Sequence, residues 1–139
     1  MLKLLDRLGR KRIILDRESD KPYLTRYYLF LKDRTWFPFN IFIHNFHKSD
    51  PDDLHDHPWP FISIILKGGY WEHTPKGKFW RSAGSIKFAR STSLHRIELE
   101  PDVDTWTLFI PGPSVREWGF IDKGIWKRHD QYLAERYKG

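Results

Sequence analysis

The chain has 139 residues, which suits one domain with one sizeable core, and its 40% hydrophobic and 30% charged residues describe a globular protein. It has no cysteine, which excludes disulfides and thiolate metal ligands, and no apolar run approaches the roughly 18 residues needed to cross a bilayer. The net charge of +6 permits an anionic partner, but the basic residues are scattered apart from Arg10-Lys11-Arg12, which reads as a solvated face.

Residues 2–9 predict a short amphipathic helix with Leu4, Leu5 and Leu8 on one side, stopped by Gly9. Ile13-Ile14-Leu15 is a short strand. Asp16 to Lys21 is a turn, and Pro22 opens the strand Tyr23 to Leu31. That strand alternates, with Leu24, Arg26, Tyr28 and Phe30 on one face and Tyr23, Thr25, Tyr27 and Leu29 on the other. Asp33-Arg34 is a connection. Phe39 to His47 is a further strand with Phe42, His44 and Phe46 on one face, and Lys48 to Asp53 is a polar loop. A strand from about His55 to Leu66 follows. Gly68-Gly69 makes a tight turn, and Tyr70 to His73 pairs back. Phe79 to Arg81, Ser85 to Ala89, Leu94 to Leu99, Thr105 to Ile110 and Arg116 to Ile121 complete the strands, divided by Pro and Gly turns. From Gly124 the period changes. Ile125, Trp126, His129, Tyr132, Leu133 and Arg136 share a helical face, which predicts a C-terminal helix over about 124–137. Many short strands and one terminal helix indicate an all-β barrel or sandwich, as a single domain over 1–139. The N-terminus lacks the long apolar stretch of a signal peptide, so the expected location is the cytoplasm.

The chemistry concentrates at His55-Asp56-His57-Pro58-Trp59. Histidines one residue apart on a strand point the same way, so a strand can offer two imidazoles to one ion. His95, on a second extended stretch, is the third candidate ligand. Three neutral imidazoles on a rigid scaffold leave positions open for water or substrate. They suit one divalent transition metal: Fe, Zn, Ni, Cu or Mn. The plainer alternative is three hydrogen-bonding histidines at a barrel mouth. His44, on an apolar aromatic face, reads as a core histidine, with a supporting group or fourth ligand as the alternative. Glu72 reads as an exposed strand carboxylate, with the same alternative. Arg26 and Tyr28 share an inward-looking face, where an arginine needs an anionic partner, either a substrate group or a structural acid. Arg116 and Trp106 are further substrate-binding candidates. The tryptophans Trp59, Trp71, Trp80 and Trp118 read first as core.

These residues resemble the cupin superfamily, the RmlC-like double-stranded β-helix. His55 and His57 match the His-x-His pair of the first cupin motif and Gly68 its closing Gly, while the motif's Glu position falls at Phe61 or Ile62. Gly84 and His95 match the spacing of the second motif; its internal Pro, internal Gly and closing Asn are Arg90, Thr92 and Leu99 here. The match covers roughly 23–121. The phrases His95-Arg96-Ile97-Glu98-Leu99, Trp106-Thr107-Leu108-Phe109 and Arg116-Glu117-Trp118-Gly119-Phe120 also resemble a group of small cupin-like proteins of bacteria and phages. The resemblance implies a jelly-roll barrel flanked by the two helices, and a homodimer, with Tyr23 to Leu31 as an exposed edge strand covered by a partner. It implies a metal-binding cupin acting on a small polar or anionic molecule, with dioxygenase-like chemistry as one form of it. The alternatives are a non-catalytic cupin that binds a sugar or other small ligand, and a basic accessory protein contacting nucleic acid or protein.

Overall fold

A computed structural model describes residues 1–15, 21–31, 37–50 and 53–137. The turn expected at Asp16 to Lys21, the Asp33-Arg34 connection and part of the Lys48 to Asp53 loop lie wholly or partly outside the described residues. The chain runs α1 (Leu2–Arg7), β1 (Lys11–Leu15), β2 (Pro22–Tyr28), β3 (Phe42–Phe46), β4 (Phe61–Lys67), β5 (Gly69–Thr74), β6 (Gly77–Ser82), β7 (Ile86–Ala89), β8 (Arg96–Glu98), β9 (Thr105–Pro111), β10 (Gly119–Asp122), β11 (Ile125–Arg128) and α2 (His129–Tyr137).

The strands form a six-stranded sheet in the order β1-β2-β3-β9-β4-β7, a three-stranded sheet β6-β5-β8 and a hairpin β10-β11. All pairings are antiparallel. His55 joins the two smaller sheets, because it bridges His95 on one side and Phe120 on the other. Backbone hydrogen bonds from Asp56 to Gly119, from His57 to Ser91 and from Ile121 to Leu54 tie the same segment to its neighbours.

Alternation decides what faces inward. Leu24, Arg26 and Tyr28 of β2 lie opposite Phe46, His44 and Phe42 of β3, and the same rows continue into Thr105, Thr107 and Phe109 of β9. One end of these rows is apolar, where Leu24, Phe46 and Ile65 pack with Tyr70 and Ile97. The other end carries Tyr28, Phe42 and Phe61, and there the histidines lie.

Four expectations change. The histidines do not lie on one long strand with Phe61 to Leu66. Pro58 and Pro60 have no N–H to give a ladder, so β4 starts at Phe61. Tyr70 to His73 does not pair back on β4 but on β6 and β8. Gly68 and Gly69 instead carry the chain between sheets: Gly68 has φ 75°, and a Cβ there would strike the carbonyl of Asp104. Ile125 to Arg128 is a strand, not the first turn of the helix. Lys123 (φ 52°) and Gly124 (φ 81°) both adopt positive φ, which is the two-residue turn that suits a tight hairpin. Last, β2 is no edge strand. It lies between β1 and β3, so it offers no free ladder to a second copy.

Gly119 is a position where backbone meets backbone. A Cβ there would run into the Lys127 carbonyl and the Trp126 ring. Gly119→Ala is expected to cost roughly 2 kcal/mol through overpacking, read as a lower melting temperature; an unchanged melting temperature would contradict this packing.

Candidate metal centre

His55 and His95 exchange both backbone hydrogen bonds, each at 3.0 Å, which fixes their side chains on the same inner face. His57 enters through its own backbone N–H, which donates to Ser91 at 3.0 Å. The three rings then sit 4.9 to 5.3 Å apart, centroid to centroid. One ligand atom from each of His55, His57 and His95 lies within 4.8 Å of the others, the one such group among the described residues. His44 and Glu72 are not in that group.

The residues fit an ion. His57 Nδ1 is buried and has no hydrogen-bond partner. A buried imidazole nitrogen without a partner is costly unless something else satisfies it. Burial, and then the neighbouring charges of His95, His55 and Lys87, push the His57 pKa far below the usual imidazole range, so the ring is held neutral as a metal ligand must be. His55 Nδ1 lies 3.2 Å from the Asp53 carbonyl, and His55 Nε2 lies 4.0 Å from Asp50 Oδ2.

Glu72 is not the exposed carboxylate expected. It is 0% exposed, because Tyr70 and Glu72 form the inward face of β5. Its Oε2 lies 2.9 Å from His95 Nδ1 and also accepts from Lys87 Nζ; its Oε1 accepts from Arg81 at 3.0 and 3.2 Å. Burial pushes the Glu72 carboxyl up, but the hydrogen bonds from His95 and Lys87 outweigh it and bring the pKa down to about 2. The Glu72 carboxylate thus backs the Nδ1 side of the His95 ring. A carboxylate behind the imidazole is the usual way to orient a metal-binding histidine.

Asp56, between the two motif histidines, is a residue that sequence reasoning passed over. It is 3% exposed. Its Oδ1 accepts from Gly119 N at 2.7 Å and its Oδ2 from Trp126 Nε1 at 2.9 Å. Arg116 closes the same knot: Nη1 lies 2.9 Å from Asp56 Oδ2 and 3.3 Å from the carbonyls of His57 and Ser91. Arg116 thus clamps the histidine loop, its charge paired with Asp56. Thr105 and Thr107 point in, so Trp106 points out, stacked on Tyr27 with its Nε1 on Asp104 at 2.9 Å. Trp59, read as core, instead stacks on the His57 ring at 5.0 Å.

His44 is 5% exposed and lies against Phe42 and Phe109. Its Nε2 accepts from Arg26 Nε at 3.0 Å. Burial and then the Arg26 charge lower its pKa well below the ordinary value. Arg26 and Tyr28 stand on the same inward face, with the Arg26 Cζ 4.3 Å from the Phe42 ring centre and 5.9 Å from that of Tyr28.

No family model matches the sequence, and no curated protein matches it. Solved structures do match in fold. A polyketide cyclase, RemF of Streptomyces resistomycificus, is 14% identical over 91% of both chains with a TM-score of 0.63. A cupin 2 conserved barrel domain protein of Rhodopseudomonas palustris is 12% identical, over 93% of this chain and 83% of that one, with a TM-score of 0.62. The chain folds as a cupin. The Fe(II) form of HppE is 12% identical over 74% of this chain and 57% of that chain, with a TM-score of 0.56. In this chain Phe61 is one of the two positions that match the motif's acid. It is 5% exposed and packs on His57 and His95 at 5.0 and 5.8 Å. An apolar ring thus stands beside the site, and the nearest acid, Glu72, reaches His95 from the facing sheet.

Proposed function

We propose that this cupin binds one divalent transition metal through His55, His57 and His95 and acts on a small molecule. The observation that carries the reading is the convergence of the three imidazoles around the unpartnered buried nitrogen of His57. When bound, the ion supplies Lewis-acid polarisation of a substrate oxygen. The chain's own residues do the rest. Glu72 orients the His95 ring from its Nδ1 side, Asp56 and Arg116 hold the loop, and Phe61, Trp59 and Phe109 give the site an aromatic wall on one side. A mononuclear metal oxygenase is the finer reading, supported by the three-histidine donor set and by the Fe(II) form of HppE in the same fold. Nucleic acid is not the partner proposed. Arg10, in the basic cluster, spends its guanidinium on the carbonyls of Tyr28 and Phe30.

The test is metal content of protein purified without a histidine tag, with Fe, Zn, Ni, Cu and Mn all offered. Wild type is expected to hold about one ion per chain, and His57→Ala close to none, with the fold kept. His73→Ala is expected to keep its metal, since His73 is bonded to Glu98 at 2.8 Å outside the group of three. Metal-free wild type, or full occupancy in His57→Ala, would refute the proposal.

A further inference from the structure

Arg26 is a buried-side cation without an acid. It faces inward in the row Arg12, Arg26, His44, Thr107 across four strands. Among the described residues no carboxylate pairs with Arg26 or with Arg12. Like charges directly opposite each other on neighbouring strands repel. Nothing on this row relieves that repulsion, because His44 is held neutral. The Arg26 Nε is committed to His44 and the Tyr28 hydroxyl hydrogen-bonds the same guanidinium, so its partners are neutral and its planar fork has no acid. Such a fork matches a carboxylate or phosphate edge in two parallel hydrogen bonds.

The fork is also placed towards the histidines. It lies over Phe42, at the end of the barrel where Phe109 and Trp59 continue the aromatic surface to His57. Arg26, Phe109, Trp59 and His57 stand on this surface and each keeps partial exposure, so solvent reaches it. Arg26 and Phe109 are two strands apart, about 10 Å.

We propose that Arg26, with Arg12 beside it, binds the anionic group of an amphipathic small molecule whose apolar body lies on Phe42, Phe109 and Trp59 and whose other end reaches the three histidines. The ligand class is therefore an organic carboxylate or phosphate ester with an apolar, planar body, rather than a neutral sugar. This rests on the small-molecule reading above but not on the metal.

The experiment is titration of metal-stripped wild type, followed by tryptophan fluorescence, with 3-phenylpropionate, phenyl phosphate and the neutral 3-phenylpropionamide. At least one anion is expected to bind about tenfold or more tighter than the amide, and the tighter of the two names the anion. Arg26→Met is expected to remove that preference, Arg26→Lys to restore part of it, and Arg12→Gln to weaken it. Should Arg26→Met fail to fold, the wild-type comparison and Arg26→Lys still decide. Equal binding of amide and anions, binding of none of them, or an undiminished preference in folded Arg26→Met would overturn the inference. A wild type that prefers the anion yet holds no metal would sink only the metal reading. A wild type that holds metal but shows no anion preference would sink only this one.

Discussion

Glu72→Ala is expected to lower the melting temperature by about 10 °C and to weaken metal binding by about 10- to 100-fold. The carboxylate is fully buried and joins Arg81, Lys87 and His95. Removing one side of a buried ion pair costs about 3–5 kcal/mol, because the remaining charge loses its partner without regaining water. Here the low end applies, since the Lys87 and Arg81 side chains keep 18% and 34% exposure and rehydrate in part. The same group makes stability depend on acid. Folding depresses the Glu72 pKa from 4.5 to about 2, so between those values the unfolded chain binds a proton that the folded one refuses. The contribution is whole above about pH 4.5 and disappears as pH falls towards 2, a loss of about 3 kcal/mol. Denaturant unfolding of wild type and Glu72→Gln at a series of pH values isolates it. The gap between the two should narrow as pH falls below 4.5; a gap that is constant with pH would show that Glu72 is not ionised in the folded state.

Asp56→Ala is the second large effect. The side chain satisfies the buried Gly119 N–H and the Trp126 indole N–H, and pairs with Arg116. An orphaned buried N–H costs about 1–3 kcal/mol, and a lost charge-assisted bond about as much again. A destabilisation of about 3 kcal/mol follows. The histidine loop loses its anchor to β10 and β11 at the same moment, so metal affinity should fall by about tenfold or more. Asp56→Asn keeps an acceptor for Gly119 and should recover part of the stability but not the Arg116 pair. Melting curves and metal competition with a chelator read both effects. A melting temperature unchanged in Asp56→Ala would remove the anchor from the account.

Much of this fold is written in local pattern, and the failures have physical causes. The alternation of Leu24, Arg26 and Tyr28 against Phe42, His44 and Phe46 named the inward face of both strands before any pairing was known. The His-x-His spacing and His95 named the group that the structure brings together. Residues 125–128 failed because Ile125 and Trp126 extend the helical stripe of His129 and Tyr132 while themselves forming one side of a hairpin; the turn chemistry at Lys123-Gly124 overrode the period. The ties that Asp56 and Arg116 make were not legible because their partners are far along the chain, at Gly119 and Trp126 for the first and at His57 and Ser91 for the second. Glu72 was half legible. It shares a strand face with Tyr70, which pointed inward, but the cations that make burial tolerable come from β6 and β7.

The most direct measurement of the central claim is X-ray absorption at the metal edge of protein purified without a tag, backed by anomalous diffraction from crystals of it. The account predicts one ion with a shell containing three imidazole nitrogens at about 2.0–2.2 Å, positioned between His55, His57 and His95. An ion held by oxygen alone, an anomalous peak elsewhere on the chain, or no metal at all would contradict it.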